Sequence, residues 1–224
     1  MDLPNSSEIF KTYLPVLLLT CLATWFGSCW IDRLYKQEED SDLLSFPKQI
    51  EQRARFRKPL LLVLLAIIIG KAWSIATGAH LFYFVAAIVL LVFVTITDFE
   101  QYVIFDSMLL PLSVVGVCYT LHMKLPFPEH LVAALGGGLL FFVLTLLTKG
   151  AIGGGDIKLI AALGLWLGVR PLITVIAYGF IAGGIAALIL LITNQKQRRD
   201  FFAYGPYFAL SGIGILLHWL RLLF

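Results

Sequence analysis

Charge is scarce in this chain. Asp, Glu, Lys and Arg make up 14% of its 224 residues, while 59% are hydrophobic and the mean hydropathy is +0.89. A soluble domain carries roughly 25% charged residues. No water-soluble core hides this much apolar surface, so the composition excludes a soluble globular domain and points to an integral membrane protein. The net charge of +3 reflects where basic residues sit and is no nucleic-acid footprint. Cysteine is rare as well. Cys21, Cys29 and Cys118 all fall in apolar runs without CxxC or Cys/His spacing. That excludes a disulfide framework or a zinc ribbon and leaves them as expected small core residues. His80, His122, His130 and His218 form no HExxH pattern, and no GxSG motif occurs. These absences argue against a zinc or a serine protease within the membrane, and no metal or cofactor is expected. The N-terminal "MDLPNSSEIFK" has no basic excess and no A-x-A site follows the first apolar run, so that run is expected to remain as a helix. No internal repeat stands out.

What the chain has in abundance is long apolar runs. A bilayer core takes about 20 apolar residues per helix. Runs at 13–31, 60–77, 81–97, 108–122, 131–148, 157–169, 172–193 and 205–223 predict an all-α, polytopic bundle of about eight transmembrane helices in one membrane domain, 1–224. The sixth run is short enough for a tilted, partly buried or re-entrant helix. The only long polar segment, 32–59, is expected to form a loop without a fold of its own, with "KQIEQRARFRK" lying on the membrane surface. Lys and Arg mark the cytoplasmic side. With the N-terminus outside, twelve of them fall inside and five outside. The links after the third run and before the sixth then share the cytoplasmic face.

Most of the fourteen acids belong to loops and tails. Four remain: Asp98, Glu100 and Asp106 in "TITDFEQYVIFD", and Asp156 in "GGGDIK". Glu100 reads as a solvated loop residue and Asp106 as the N-cap of the fourth helix. Asp98 ends one apolar helix and Asp156 begins another at the same face. Either alone reads as a helix cap, but a carboxylate at membrane depth usually faces a wet cavity or a partner. Gly153, Gly154 and Gly155 are more than a cap needs, and glycine admits a close backbone, as a site for an extended peptide requires. Two carboxyl groups in contact cannot both ionise and titrate as a unit. Such a pair activates water with one member and hydrogen-bonds a peptide carbonyl with the other. Asp156, at a helix N-terminus, is expected as the anion and Asp98, at a C-terminus, as the acid. Lys158 either reaches the headgroups or acts on a nearby aspartate.

These residues resemble the type IV prepilin peptidase family, the GxGD aspartic proteases of bacterial inner membranes. "GGGDIKL" fits GxGDxK through Gly153, Gly155, Asp156 and Lys158, and "TDFEQYVIFD" resembles the segment in which an aspartate ends a helix. "AYGPYFALSG" is similar to the Gly-Pro start of the family's last helix, and "FGSCWIDRL" to its first-helix end. The resemblance implies Asp98 and Asp156 as the catalytic pair, with Gly153, Gly155 and Lys158 supporting. It implies a prepilin-like substrate with a short basic leader and an apolar N-terminal helix, cut after a glycine at the cytoplasmic border. Glu38 to Asp42 would then meet the leader, and loop-one bases the anionic lipid headgroups. Three departures stand out: Asp32 replaces an asparagine, Phe105 stands where proline is common, and the first loop lacks the paired Cys-x-x-Cys motifs of many members. The last makes N-methyltransferase activity doubtful. The competing readings are a small ion-coupled carrier, whose sites use Gly-interrupted helices near an acid, and an assembly subunit in which both aspartates are only caps.

Overall fold

The computed structural model describes residues 6–38, 43–76, 78–150, 152–193 and 202–223. Glu39, Asp40, Asp42 and Asp200, and the bases Lys196, Arg198 and Arg199, lie outside the described residues. Among the described residues the elements are helical: α1 (Ser6–Gln37), a 3-10 turn (Pro47–Gln49), α2 (Ile50–Ala54), α3 (Arg57–Ile75), α4 (Gly78–Gln101), α5 (Asp106–His122), α6 (Phe127–Leu147), α7 (Gly154–Leu167), α8 (Val169–Ile192) and α9 (Gly205–Leu223). The eight longer helices coincide with the eight apolar runs. Five of them, Tyr13–Gln37 in α1 together with α3, α4, α6 and α8, are long and apolar enough to cross a bilayer. The protein is a multi-pass helical membrane bundle.

α4 is the most buried of the five long apolar helices, whereas α8, equally apolar, turns most of its surface outward. In α4 every residue from Leu91 to Asp98 is buried, with α3, α5 and α9 packed around it. α7 has 14 residues, about 21 Å at 1.5 Å per residue, well short of the roughly 30 Å hydrocarbon core. It is wedged among α5, α6, α8 and α9 and buries Leu159, Ile160, Leu163 and Trp166 completely. Trp166 donates its indole N–H to the Leu112 carbonyl at 2.9 Å. Its closest neighbour is α6, where a Cβ on Gly164 would fall 2.6 Å from the Ala134 Cα. Small residues let helix backbones approach in this way. At Gly168 the backbone takes φ 71°, and α8 begins on the next residue. α7 is thus a short inner helix that already buries Asp156 in its first turn.

Two expectations are corrected at this level. Cys21, Cys29 and Cys118 are exposed, unpaired residues on the outer face of the bundle. In a lipid-facing chain an apolar run has an apolar outside too, so a small apolar residue carries no signal of burial. The basic stretch at 48–58 does not simply lie on a surface: Lys48, Arg55 and Lys58 are exposed, but Arg57 is buried and pairs with Asp32 and Glu100.

Candidate active site

The sequence places Asp98 at the end of one helix and Asp156 at the start of another, and the fold brings them together. Asp98 lies in the last turn of α4. Asp156 is the third residue of α7, where its Oδ2 accepts the backbone N–H of Gly153 at 3.3 Å, as the acidic half of a capping box does. Both side chains are buried, Asp98 5% and Asp156 8% exposed. Between them stands Gly205, the first residue of α9. A Cβ there would fall 2.6 Å from Asp98 Oδ2 and 3.1 Å from Asp156 Oδ1. Those same two oxygens are buried without a hydrogen-bond partner. Buried polar atoms are nearly always paired, so an exception calls for a reason. Two carboxyl oxygens left open toward one small volume are arranged for a polar guest.

Ile104, in the link between α4 and α5, closes one side. Its side chain sits where a Cβ on either Gly155 or Gly205 would go, at 2.9 and 2.8 Å. The glycine run therefore serves close approach, and not the positive φ that glycine also allows: Gly153 has φ −70° and Gly154 and Gly155 begin α7. Gly154 has nothing within 4 Å of a Cβ. A cleft of about 770 Å³ opens from the two aspartates past this glycine stretch, with Leu43, Ser45, Phe202 and Tyr204 among its walls.

Lys158 lies at the rim and turns to a different acid. Its Nζ donates to both carboxyl oxygens of Asp106 at 2.7 and 2.8 Å, and both side chains are more than half exposed. Asp106 is thus a first-turn residue of α5, paired across the cleft mouth. Its expected role as N-cap falls to Phe105, which is buried and makes no side-chain cap bond. Exposed pairs contribute about 0–1 kcal/mol. Lys158→Met is therefore expected to change unfolding stability by less than about 1 kcal/mol, measured by thermal denaturation in detergent. A loss several times larger would mean that the pair holds α5 and α7 together.

Glu100 is the clearest correction in the site's surroundings. It is part of α4, 7% exposed, and is bound by Arg57 and Tyr35. Gly205 and Ile104 were not singled out as site residues by sequence. Gly205 had a signal in the Gly-Pro start of the last helix; Ile104 had none, since an apolar residue in an apolar chain is unmarked. Among the described residues no three His, Cys, Asp or Glu side chains are grouped to hold a metal ion. The acids gather at one end of the helices, where α4 finishes and α7 and α9 begin, and not midway along them as a carrier's site would.

Residues 84–188, which include both aspartates and the segment between them, match the family model of type IV leader peptidases. This stretch belongs to the type IV leader peptidase family. Similarity to known proteins extends beyond this stretch. The chain is 31% identical over 169 residues to a prepilin leader peptidase/N-methyltransferase of Neisseria gonorrhoeae, covering 72% of this chain and 58% of the relative. It is 30% identical over 159 residues to one from Aeromonas salmonicida (strain A449), covering 68% and 53%. A Legionella pneumophila protein of the same name is 29% identical over 156 residues, covering 66% and 53%. The chain thus spans a little over half the length of these leader peptidase relatives. No solved structure matches.

Proposed function

We propose that the protein is a bacterial inner-membrane aspartic endopeptidase that removes the leader of prepilin-like precursors at the cytoplasmic border. The observation that carries the reading is the convergence of Asp98 Oδ2 and Asp156 Oδ1, both buried and unpartnered, on the space beside Gly205. Its family context supports the same chemistry. Asp156, at a helix N-terminus where partial positive charge favours an anion, is the carboxylate, and Asp98 is the acid; they share one proton. A water between them attacks the scissile carbonyl carbon as Asp156 takes its proton and Asp98 hydrogen-bonds the carbonyl oxygen. The tetrahedral intermediate collapses when a proton reaches the leaving nitrogen and the C–N bond breaks. Gly153 and Gly155 keep side chains out of the approach path, and Lys158 supports the rim through Asp106.

The substrate proposed is a short basic leader followed by an apolar helix and cut after a glycine. The exposed bases Lys48, Arg55 and Lys58 are the part of the first loop left to meet lipid headgroups, with the basic ends of the helices facing the cytoplasm. Methylation of the new N-terminus is not expected, because the segment between α1 and α3 contains no cysteine. The test is co-expression with a precursor of that design. Wild type is expected to yield a shorter product whose N-terminus begins directly after the glycine, and affinity-tagged Asp156→Asn is expected to retain uncut precursor. An uncut precursor beside correctly inserted wild-type protein would overturn the proposal.

A further inference from the structure

The last turn of α4, which carries Asp98, ends in an unusual way. The final four carbonyls of an α-helix have no partner within the helix, and here all four are satisfied. The Asp98 carbonyl accepts the N–H of Tyr102 at 3.0 Å, with Tyr102 at φ 55°, a left-handed turn that commonly closes helices. The Phe99 carbonyl accepts Arg53 Nη2 at 3.0 Å, and the Glu100 carbonyl accepts Arg53 Nε. The Gln101 carbonyl accepts the N–H of Ser45 at 3.2 Å. Three of the four partners thus come from the polar segment between α1 and α3.

Side chains repeat the connection. Arg57, 2% exposed, donates Nε at 3.0 Å and Nη2 at 2.7 Å to Glu100 and Nη1 to Asp32. The Tyr35 hydroxyl donates to Glu100 Oε2 at 3.0 Å. Gln101 is bonded to both backbone groups of Phe46, at 2.9 and 3.2 Å, and the Arg53 guanidinium lies 4.0 Å over the Phe46 ring. Buried charge pairs are often no more stabilising than apolar side chains of the same size. What a fork-shaped guanidinium adds is geometry: two parallel bonds to a carboxylate fix a direction.

We infer that Arg53, Arg57 and Glu100 form a latch whose role is to position Asp98. It clamps the segment 45–57 onto the one helical turn that holds this aspartate, and Leu43 and Ser45 at the edge of that segment wall the cleft. None of the three touches the open oxygens beside Gly205, so they are positioning residues. The inference rests on the peptidase reading for its kinetic arm and on geometry alone for its structural arm.

The test uses full-length protein in detergent with Glu100→Gln, Arg57→Lys and Arg53→Gln, and the basic-leader precursor as probe. Glu100→Gln is expected to lower kcat on the order of 10-fold to 100-fold, the scale of a misplaced reacting group, with KM changed less. Arg57→Lys keeps charge without the fork and is expected to fall between it and wild type. Limited trypsin digestion supplies a readout without catalysis: in wild type the segment is cut after exposed Arg55, and in Glu100→Gln cutting after Arg57 appears. Arg53→Gln, at a half-buried position, keeps the test decisive where a buried variant fails to insert. Wild-type kcat in Glu100→Gln and Arg53→Gln, or lost kcat with unchanged protease resistance, overturns the latch. An inactive wild type whose variants still gain the Arg57 cut would sink the peptidase reading and leave the clamped segment supported.

Discussion

Asp98→Asn and Asp156→Asn are each expected to lower kcat/KM for leader cleavage by about 10⁴-fold, the upper range of general acid–base catalysis. An amide at 156 cannot take the proton of the attacking water. An amide at 98 can still hydrogen-bond the carbonyl but cannot deliver a proton to the leaving nitrogen. Residues that act as a unit are strongly non-additive, so the double variant is expected to be no slower than the slower single one. Stability should move the other way. Each aspartate holds a buried oxygen without a partner, and a buried charge is more costly than a buried amide. The thermal midpoint of Asp156→Asn, which removes the buried charge, is therefore expected to stay level or rise. The cap-only reading makes the opposite forecast: lost stability at Asp156, whose Oδ2 accepts the Gly153 N–H, with processing intact. Measuring both quantities on the same preparations separates the two.

The second large effect is expected at a residue with no side chain. In Gly205→Ala the new methyl would lie 2.6 Å from Asp98 Oδ2, 2.8 Å from Ile104 Cδ1 and 3.1 Å from Asp156 Oδ1. Real Cβ atoms do not come this close, so α9, Ile104 or a carboxyl group must shift. Ile104 and both carboxyl groups line the cleft, so whichever of these moves, the site itself is displaced. A displacement of about 1 Å at reacting groups can cost about 10²-fold, and that is the expected fall in kcat. Gly184→Ala is the control: a Cβ on this α8 residue meets nothing within 4 Å, so processing should be unchanged. Equal processing by Gly205→Ala and wild type would show that the volume between the aspartates is not where the reaction happens.

Most of the architecture was legible in the sequence because bilayer insertion is a local test. Whether 20 residues are apolar is decided by those residues alone, so the eight runs coincide with the eight longer helices, and the short sixth run with the short α7. The aspartate pair was legible for a related reason: acids are so rare here that Asp98 and Asp156 stood out against their flanks. Glu100 and Arg57 carry no such signal, since both sit among polar neighbours that look solvated.

By itself, then, the sequence determined the helices, their apolar character and the two carboxyl groups at helix ends. Which polar residues face inward follows from packing between helices. Arg57 and Glu100 are 43 positions apart, and neither has a local reason to be buried. A buried charge is tolerable only once its partner is in place, and that partner is supplied by packing across helices. The same holds for Gly205, whose missing side chain has meaning only because α4 and α7 bring their aspartates to it.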